Sequence, residues 1–219
     1  MLLTELYKAR QFMKNEFSSR LINRLAQYHT ILRDFSKKNI KNITSILIAQ
    51  ILKIDETQVR KDIQCIKCKG KCKVGYSVSQ LKTCIENILD CKTLKKACVI
   101  GAGNLGVALT KYAKFKEFGL EIVAIYDSSP LKINTQVGTL KISDISSLSL
   151  PDAQMPVAIL TVPNNVAQNV CNIVVEAGFK YIWNFAPTIL SVPDDVEVWH
   201  ENLIGSFLAF CANSKYSKI

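Results

Sequence analysis

The segment Ala97-Cys-Val-Ile-Gly101-Ala-Gly103-Asn-Leu-Gly106 decides the fold of the second half of this 219-residue chain. A short apolar run leads directly into three glycines spaced G-x-G-x-x-G, and a sequence with helical character, 107–115, follows them. The glycine spacing alone is weak, but between a strand and a helix it is typical of a dinucleotide-binding domain. We therefore predict an α/β domain of the Rossmann type.

The residues of this loop have separate expected roles toward a pyrophosphate. Gly101 permits the tight turn, Gly103 lets the backbone approach the ligand, and Gly106 allows the helix to pack closely on the strand. The helix N-terminus faces the negative charge, so the contacts are expected to include the backbone of Asn104 and Leu105.

An acidic residue stands where such domains bind a ribose. A second apolar strand, 122–126, ends in Asp127, which lies 21 residues after Gly106. A carboxylate there accepts a hydrogen bond from the ribose 2′-hydroxyl and repels a 2′-phosphate, so the predicted cofactor is NAD(H) rather than NADP(H). Lys132 is the residue able to soften this preference.

Two further apolar strands are predicted over 157–162 and 181–185, and a helix between them over about 164–176. Asn164 or Asn165 is expected to cap that helix, and Gly178 to end it. Because ligands bind beyond the carboxyl ends of parallel strands, both strand ends are predicted to contact the nicotinamide half; the alternative is that each proline only ends its strand. The residues concerned are Thr161, Val162, Pro163, Asn184, Phe185, Ala186 and Pro187.

The charge of the chain, +10 in total, is concentrated in the first half. Residues 1–96 carry 20 Lys or Arg against 8 Asp or Glu, whereas the remaining residues carry 8 against 10. Such a positive field favours a polyanionic partner, either nucleic acid or an anionic membrane face. A solvated basic surface without a partner is the alternative.

Three helices are predicted in the basic half, over 20–35, 45–52 and about 56–66. Thr44 or Ser45 is expected to cap the second. Asp55 and Gln58 have the spacing of a capping box around the start of the third, with Ile54 packing on Val59 as a hydrophobic staple. Two short helices joined by a tight turn match a helix-turn-helix, which places the third helix in the major groove of double-stranded DNA. The predicted DNA contacts from this motif are Ser45, Gln58, Arg60, Lys61 and Gln64.

A basic hairpin is predicted after the third helix, with lysines alternating around Gly70. Period-two alternation places them on one face, although a turn at Gly70 is expected to break strict alternation, and this suits a wing laid along phosphates or in the minor groove. The alternative is a solvated charged hairpin, and a helix over 77–91 closes the domain. The wing lysines are Lys67, Lys69, Lys71 and Lys73.

Cys65, Cys68 and Cys72 form C-x-x-C-x-x-x-C among these lysines, which are expected to lower the pKa of a thiol. A metal-binding or thiol-redox role is one interpretation, and incidental wing thiols are the other. Three sulfurs lack the fourth ligand of a closed zinc site, so no metal is assigned. Residues 1–20 contain no apolar secretory segment and no stretch is long enough to span a membrane, so we expect a cytoplasmic protein with reduced cysteines.

An enzyme of this fold needs a proton donor or acceptor near the nicotinamide. The chain has two histidines, His29 and His200, and neither lies in a dinucleotide-binding motif. Tyr112 and Lys116 have the Tyr-x-x-x-Lys spacing but lie at the far end of the helix that follows the glycine loop. We therefore predict no catalytic residues.

Several motifs recur in the order found in one family: QVRKD (58–62), VGY (74–76), GAGNLG, LTVP, AQ (167–168) and NFAP. With them the chain resembles the Rex family of redox-sensing transcriptional repressors. The resemblance implies a winged-helix DNA-binding domain over 1–92, an NAD(H)-binding domain over 93–202, and a helix over 203–219 exchanged between the subunits of a homodimer. It also implies that NADH favours release of palindromic operator DNA, and that Tyr112 moves between the nicotinamide and a C-terminal Asp of the partner.

The chain departs from this family at positions that matter. Thr30 and Asn202 stand where many relatives have an Arg and an Asp that pair between subunits. In the wing, Cys65-Ile66-Lys67 and Cys72-Lys73 replace Tyr-Phe-Gly and Arg-Gly, so an Arg that would enter a minor groove is missing and the operator preference of the family is not carried over to this chain. Two other functions stay open: an NAD-dependent oxidoreductase with a basic module, and a DNA-binding protein whose nucleotide is structural. Residues 1–18 look helical and have no assigned function.

Overall fold

The computed structural model describes residues 17–72, 74–153 and 155–216, with side chains described as far as 212. Lys73 and nearly all of the helix expected over 1–18 therefore lie outside the described residues. The described chain divides into two compact units between Lys92 and Thr93.

The N-terminal unit contains the three predicted helices, the predicted closing helix and a small antiparallel sheet. Strand β1 pairs with β2 through Asn42–Ser77 and Ile43–Tyr76. The elements, in chain order, are α1 (Ser19–Lys37), β1 (Asn42–Ile43), α2 (Ser45–Leu52), α3 (Glu56–Cys65), β2 (Tyr76–Ser77) and α4 (Val78–Ile88).

Side-chain caps fix the helix starts. Thr44, not Ser45, caps α2 by accepting from the Leu47 N–H, and Asp55 caps α3 by accepting from the Gln58 N–H. The second half of the predicted capping box is wrong, because the Gln58 amide donates to Asp62 at 2.7 Å instead of returning to Asp55.

The core of this unit is the apolar stripe of α1 packed against α3 and α4. Apolar residues spaced three and four apart on α1 lie on one face, as the sequence predicts. The middle of this face is fully buried. The fully buried residues include Leu25, Tyr28, Leu32, Ile48, Val59, Ile63, Leu81 and Ile85.

The wing differs from its prediction. Lys67 adopts a positive φ of 53° directly after α3, and the tight turn runs from Lys71 to Gly75, whose N–H and C=O groups bond each other at 2.8 and 2.9 Å. Gly70 is therefore not the turn, and Lys67, Lys69 and Lys71 do not alternate on one extended ribbon.

The C-terminal unit is a seven-stranded sheet in the order β5-β6-β4-β3-β7-β8-β9, parallel except for the β5–β6 pair. The central glycine-bearing strand therefore has neighbours from both halves of the domain, which is the topological switch point of a Rossmann sheet. The strands are β3 (Lys95–Ile100), β4 (Leu120–Asp127), β5 (Gln136–Val137), β6 (Leu140–Asp144), β7 (Val157–Leu160), β8 (Tyr181–Asn184) and β9 (Glu197–His200).

Three helices belong to this unit: α5 (Asn104–Thr110), α6 (Asn164–Glu176) and α7 (Leu203–Tyr216). The helix after the glycine loop is shorter than predicted, because a 3-10 turn, Ala113–Phe118, replaces its second half. No asparagine side chain caps α6, whose N-cap is Pro163. Gly178 ends it as predicted, with φ of 95°.

Alternate residues of β3 face the two halves of the core. Cys98 and Ile100 pack with α6, whereas Ala97 and Val99 pack on the opposite face. Helix α7 contributes no fully buried side chain in the described part of the chain. None of the described helices is both long and apolar enough to cross a bilayer.

Candidate functional site

The glycine loop lies at the carboxyl end of β3, between the ends of β4 and β7. Gly101 has a φ of 105°, and a Cβ there would lie 2.8 Å from the Thr161 carbonyl oxygen. A Cβ on Gly106 would lie 2.0 Å from the Gly101 oxygen, so the close packing predicted for Gly106 is present. By contrast, a Cβ on Gly103 would meet no atom within 4 Å. The backbone at Gly103 is therefore open to a ligand.

A cavity of about 580 Å³ opens over this loop. One wall is apolar and comes from α6 and the 3-10 turn after β6, a set that the sequence analysis did not single out: Ile145, Val166, Val170 and Ile173. The predicted site residues that line the cavity are Gly101, Gly103, Asn104, Leu105, Asp127, Thr161, Val162 and Pro163.

The Asp127 carboxylate, the predicted ribose acceptor, bonds to three donors at one end of the cavity. Its Oδ2 accepts from the Ala102 N–H at 2.7 Å and from the Lys132 ammonium at 3.0 Å, and its Oδ1 accepts from the Ser129 N–H at 2.9 Å. Burial raises the pKa of this carboxyl, but the three donors outweigh burial and hold the pKa below its ordinary value. Asp127 is therefore an ionised acceptor beside a cation.

Thr161 acts on the loop rather than pointing at a ligand. Its hydroxyl donates to the Gly101 carbonyl at 2.8 Å, and its N–H donates to the Ile100 carbonyl at 2.9 Å. These bonds hold the loop against β7, so the threonine shapes the cavity floor.

The segment after β8 is not part of this cavity. The Asn184 amide is fully buried and donates to the Ala186 and Thr188 carbonyls, while its oxygen accepts from the Ala186 N–H. This asparagine organises its own turn. Phe185, Ala186 and Pro187 also do not line the cavity.

Tyr112 is likewise outside the glycine cavity. It borders a separate cavity of about 550 Å³ and is half exposed. Its ring begins a series of aromatic contacts that runs through Phe115 and Trp183 to Phe185, with centroid distances of 5.0, 5.9 and 5.0 Å. Two residues predicted near the nicotinamide are thus joined through ring contacts, away from the glycine loop.

The cavity fits a dinucleotide. The open backbone at Gly103 and the α5 N-terminus, which carries no side-chain cap, suit a pyrophosphate, and Asp127 suits a ribose. Among the lining residues in the described part of the chain, the ionisable ones are Asp127 and Lys132. His29 is buried beside Glu86, and the His200 ring contacts Asn184.

In the N-terminal unit, α3 presents Arg60, Lys61 and Gln64 to solvent. The Arg60 guanidinium bonds Glu56 at 2.5 Å and Ser45 at 3.3 Å. Ser45, a predicted DNA contact, is buried and its hydroxyl donates to Glu56 at 2.9 Å, so it positions the start of α3.

An ionic network around the buried Asp62 carboxylate and the half-buried Arg24 connects α3 to α1. The Asp62 carboxylate accepts two bonds from Arg24, at 2.6 and 2.8 Å, and one from the Tyr28 hydroxyl at 2.7 Å. Gln58, a predicted DNA contact, donates to the same carboxylate. Burial opposes ionisation, but these donors keep the pKa of Asp62 below its ordinary value. The network sets the orientation of α3 against α1.

The wing lysines Lys67, Lys69 and Lys71 are exposed. Lys69 and Lys71 line a cavity of about 650 Å³ together with Lys41 and Asn42 from the β1 segment. Lys41 adds a positive charge that the sequence analysis missed, because the pairing of β1 with β2 is not visible from local periodicity.

The three motif cysteines do not form a cluster. Cys65 and Cys72 are exposed, whereas Cys68 is buried beside Cys84. The prediction that lysines lower the thiol pKa is wrong for Cys68: burial, and then its contact with Cys84, raises the pKa to about 12. Among the described residues, no group of three or more His, Cys, Asp or Glu is arranged to hold a metal ion.

The two departures from the Rex pattern have local roles. The Thr30 hydroxyl is exposed and donates to the Ala26 carbonyl one turn earlier on α1. The Asn202 oxygen accepts from the Gly205 N–H at 2.7 Å, so Asn202 caps α7.

Each of the two units matches a known family model. A family model described as a CoA binding domain matches residues 92–188, and one described as a putative DNA-binding protein N-terminus matches residues 17–63. The redox-sensing transcriptional repressor Rex of Clostridium kluyveri is 36% identical over 197 residues, which cover 89% of this chain and 94% of the relative. Rex of Clostridium botulinum strain Hall matches with the same identity and coverage.

Solved structures of the protein RSP are similar to this chain over most of its length. RSP in complex with β-NAD⁺ and operator DNA superposes with a TM-score of 0.81 at 27% identity, covering 92% of this chain and 94% of that chain. RSP in complex with β-NADH gives a TM-score of 0.79 at 27% identity and covers 92% of this chain and 96% of that chain.

Proposed function

From the premise that the chain belongs to the Rex family of redox-sensing transcriptional repressors, we propose that it is an NAD(H)-responsive repressor. It binds operator DNA through the N-terminal unit and NAD(H) through the C-terminal unit, and NADH favours release of the DNA. The proposed division is 1–92 for DNA, 93–202 for the nucleotide and 203–219 for dimerisation. This role includes a cytoplasmic location.

The observation that carries the proposal is the pairing of an open glycine loop with an ionised acceptor in one cavity. Gly103 leaves room for a pyrophosphate, and Asp127 lies at the end of the adjacent strand β4. When bound, NAD⁺ and NADH differ in the charge and planarity of one ring, so contacts to that ring differ in energy between the two states. Such differences support couplings of about 1 to 3 kcal/mol.

The DNA-binding part of the proposal is supported by the fixed geometry of α3. The network at Asp62 holds the helix to α1, and Arg60, Lys61 and Gln64 face outward from it. Exposed lysines of the wing supply phosphate contacts. The nucleotide-bound and operator-bound states of RSP are those of a protein with this fold.

The proposed assembly is a homodimer that exchanges α7. Five large apolar side chains of this helix are between 59% and 68% exposed: Leu203, Ile204, Phe207, Leu208 and Phe210. Apolar exposure of this extent on one element is typical of a surface covered by a partner. Two recognition helices related by a two-fold axis then match palindromic half-sites about one helical turn apart.

The proposal assigns no enzymatic role to this chain. Asp127 and Lys132, the ionisable side chains that line the described cavity, lie at its ribose end. Tyr112 and Lys116 border a different cavity, and the Lys116 ammonium pairs with Glu121 at 2.8 Å.

The experiment is a titration of labelled operator DNA at fixed salt, with the ratio of NADH to NAD⁺ varied. We expect DNA affinity to fall as NADH replaces NAD⁺, by about 5-fold to 150-fold in total. Salt is fixed because phosphate contacts make affinity steeply dependent on it. Equal affinity in both nucleotides identifies a structural nucleotide instead, and hydride transfer to a small carbonyl compound identifies an oxidoreductase.

A further inference from the structure

Two tryptophans and a glutamate meet at the edge of the C-terminal sheet. Trp183 of β8 and Trp199 of β9 are paired neighbours in the parallel register. Their indole N–H groups both donate to the same atom, Oε1 of Glu201, at 3.0 Å each. These three residues form an indole clamp, in which one carboxylate oxygen joins two adjacent strands.

The strand pattern explains why these side chains meet. Residues two apart in a strand point to the same face of a sheet, so Trp199 and Glu201 share a face, and the register places Trp183 beside them. The Glu201 N–H also donates to the Asn184 carbonyl at 2.8 Å, which extends the β8–β9 ladder by one residue. Glu201 is thus held to the sheet through its backbone and through its side chain.

One of the two donors is itself fixed by packing. The Trp183 ring contacts Phe115 and Phe185, with centroid distances of 5.9 and 5.0 Å, and it packs against the buried core on one face of the sheet. Trp199, in contrast, is 54% exposed. The carboxylate therefore connects the exposed indole to an indole that is held in place.

Helix α7 begins directly after the clamp. Its first residue is Leu203, and Asn202, the one residue between, caps the helix by accepting from the Gly205 N–H. Five large apolar side chains of α7 are more than half exposed, and none of its side chains in the described part of the chain is fully buried. Packing on its own unit therefore holds α7 weakly, and its direction depends on how the chain leaves β9.

We propose that Glu201 is a positioning residue for α7. Through its bonds to the two indoles it sets the direction in which the helix leaves the sheet, and a second copy of this chain binds the helix in that direction. This role rests on the proposed homodimer and goes beyond it, because it names the contact that holds the dimerisation helix ready for its partner.

The expected size of the effect follows from the fraction of molecules whose α7 has the binding-competent direction. With the clamp, the helix is held in one direction before the partner arrives. Without the clamp it samples several directions, and the apparent affinity falls in proportion to the competent fraction. A symmetric dimer loses this fraction twice, because both copies contribute α7. A competent fraction of about one third in each copy raises the dissociation constant about tenfold.

The test measures dimerisation of the full chain by sedimentation equilibrium. Glu201→Ala removes the acceptor of both indoles and is expected to raise the dissociation constant about tenfold. Glu201→Gln keeps a carbonyl oxygen that accepts from both indoles, so its dissociation constant is expected to stay within about twofold of wild type. Asp194→Ala removes an exposed carboxylate from the loop before β9 and is the matched control, with no expected effect.

Tryptophan fluorescence tests the clamp separately from the dimer, since Trp183 and Trp199 are the two tryptophans of the chain. The measurement is acrylamide quenching in a Phe207→Asp background, which removes the contribution of association. Glu201→Ala is expected to increase quenching, because the exposed indole is no longer held, and Glu201→Gln is expected to leave quenching unchanged. If Glu201→Ala does not fold, as judged by circular dichroism, Trp199→Phe replaces it in the dimerisation measurement, since this change removes one donor and keeps an aromatic ring.

Three results would overturn the inference: a Glu201→Ala dimer as stable as the wild type, a Glu201→Gln dimer weakened as much as Glu201→Ala, or quenching that Glu201→Ala leaves unchanged. The second result would mean that the charge of Glu201, and not its bonds to the indoles, supports the dimer. A wild-type chain that is monomeric at micromolar concentration overturns the proposed assembly and this role together. A dimeric wild type that tolerates Glu201→Ala counts against the clamp alone.

Discussion

Asp62 is the residue on which the orientation of α3, the proposed recognition helix, depends. It is 2% exposed and receives bonds from Arg24, Tyr28 and Gln58. Replacing it with Asn removes the charged acceptor of Arg24, whose side chain is 25% exposed and stays partly solvated, so the cost is that of lost charge-assisted hydrogen bonds, about 1.5 to 3 kcal/mol. We expect Asp62→Asn to lower the free energy of unfolding of the N-terminal unit by about that amount.

The measurement is urea unfolding followed by circular dichroism, with tryptophan fluorescence reporting the C-terminal unit separately, since Trp183 and Trp199 both belong to it. Asp34→Asn, an exposed carboxylate on α1, is the matched control and is expected to change the free energy by less than about 0.5 kcal/mol. Equal effects of the two substitutions would mean that the network does not stabilise the unit.

The same carboxylate predicts a pH dependence. The pKa of Asp62 is lower in the folded protein than its value of about 3.9 in an unfolded chain. Its contribution is therefore complete above about pH 4 and is lost as pH falls through the folded-state pKa. We expect the difference in unfolding free energy between wild type and Asp62→Asn to be constant from about pH 5 to 7 and to shrink in acid. A difference that instead grows in acid would contradict this assignment.

Substitutions at Asp127 and Lys61 are expected to weaken the binding of different ligands, NADH and DNA respectively. Removing the Asp127 carboxylate is expected to weaken NADH binding about 10-fold to 100-fold, because a charged hydrogen bond is lost, and to leave nucleotide-free DNA affinity unchanged. Lys61→Ala is expected to weaken DNA binding and reduce its salt slope by about one, with NADH affinity intact. Calorimetry and fluorescence anisotropy measure the two affinities; impairment of both ligands by both substitutions would contradict the separation.

Asp127 and Asn184 show how far residue-level prediction extends. Asp127 follows a strand at a fixed distance from the glycine loop, so its place in the cavity depends on the sheet topology that the sequence predicts well. Asn184 also ends a strand, but its amide is used by the Ala186 and Thr188 backbone. Hydrogen bonds from a short polar side chain to nearby backbone groups cannot be recognised from the pattern of apolar residues.

Among the elements, the long periodic helices and the glycine-bearing strand match their predictions, whereas the wing does not. Alternation of lysines predicts a ribbon only if the backbone stays extended. Lys67 with positive φ and Cys68 turned into the core end that extension immediately after α3. Strands β5, β6 and β9 are also absent from the predictions, since β5 has two residues and polar residues interrupt the apolar run in β6 and β9.

Helix α7 carries the prediction about assembly. Its exposed apolar residues are expected to be covered by a second copy, so Phe207→Asp, which places a charge among them, should weaken dimerisation about 30-fold or more. Ser206→Asp on the same helix adds the same charge at an exposed polar position and is the control. Sedimentation equilibrium measures both, and a wild-type chain that is monomeric at micromolar concentration would contradict the exchanged-helix assembly.

At the scale of the whole molecule, the open question is how strongly nucleotide state is coupled to DNA affinity. Resemblance to the Rex family implies an ion pair between subunits, and this chain has Thr30 and Asn202 at its two ends. Both positions accept the missing residues: Thr30 is exposed, and Asp caps a helix as well as Asn202 does. The pair can therefore be restored without disturbing either helix.

We expect Thr30→Arg and Asn202→Asp together to raise the ratio of operator affinities in NAD⁺ and NADH, and either change alone to leave that ratio nearly constant. The reason is that a coupling energy requires both charges, and a new pair of this kind is worth about 1 kcal/mol or more, or at least a fivefold change in the ratio. The DNA titration at fixed salt, repeated for all four combinations, measures the coupling as the non-additive part. Additive effects of the two substitutions would mean that this protein transmits its nucleotide state by contacts elsewhere, and that the ion pair is dispensable to the switch.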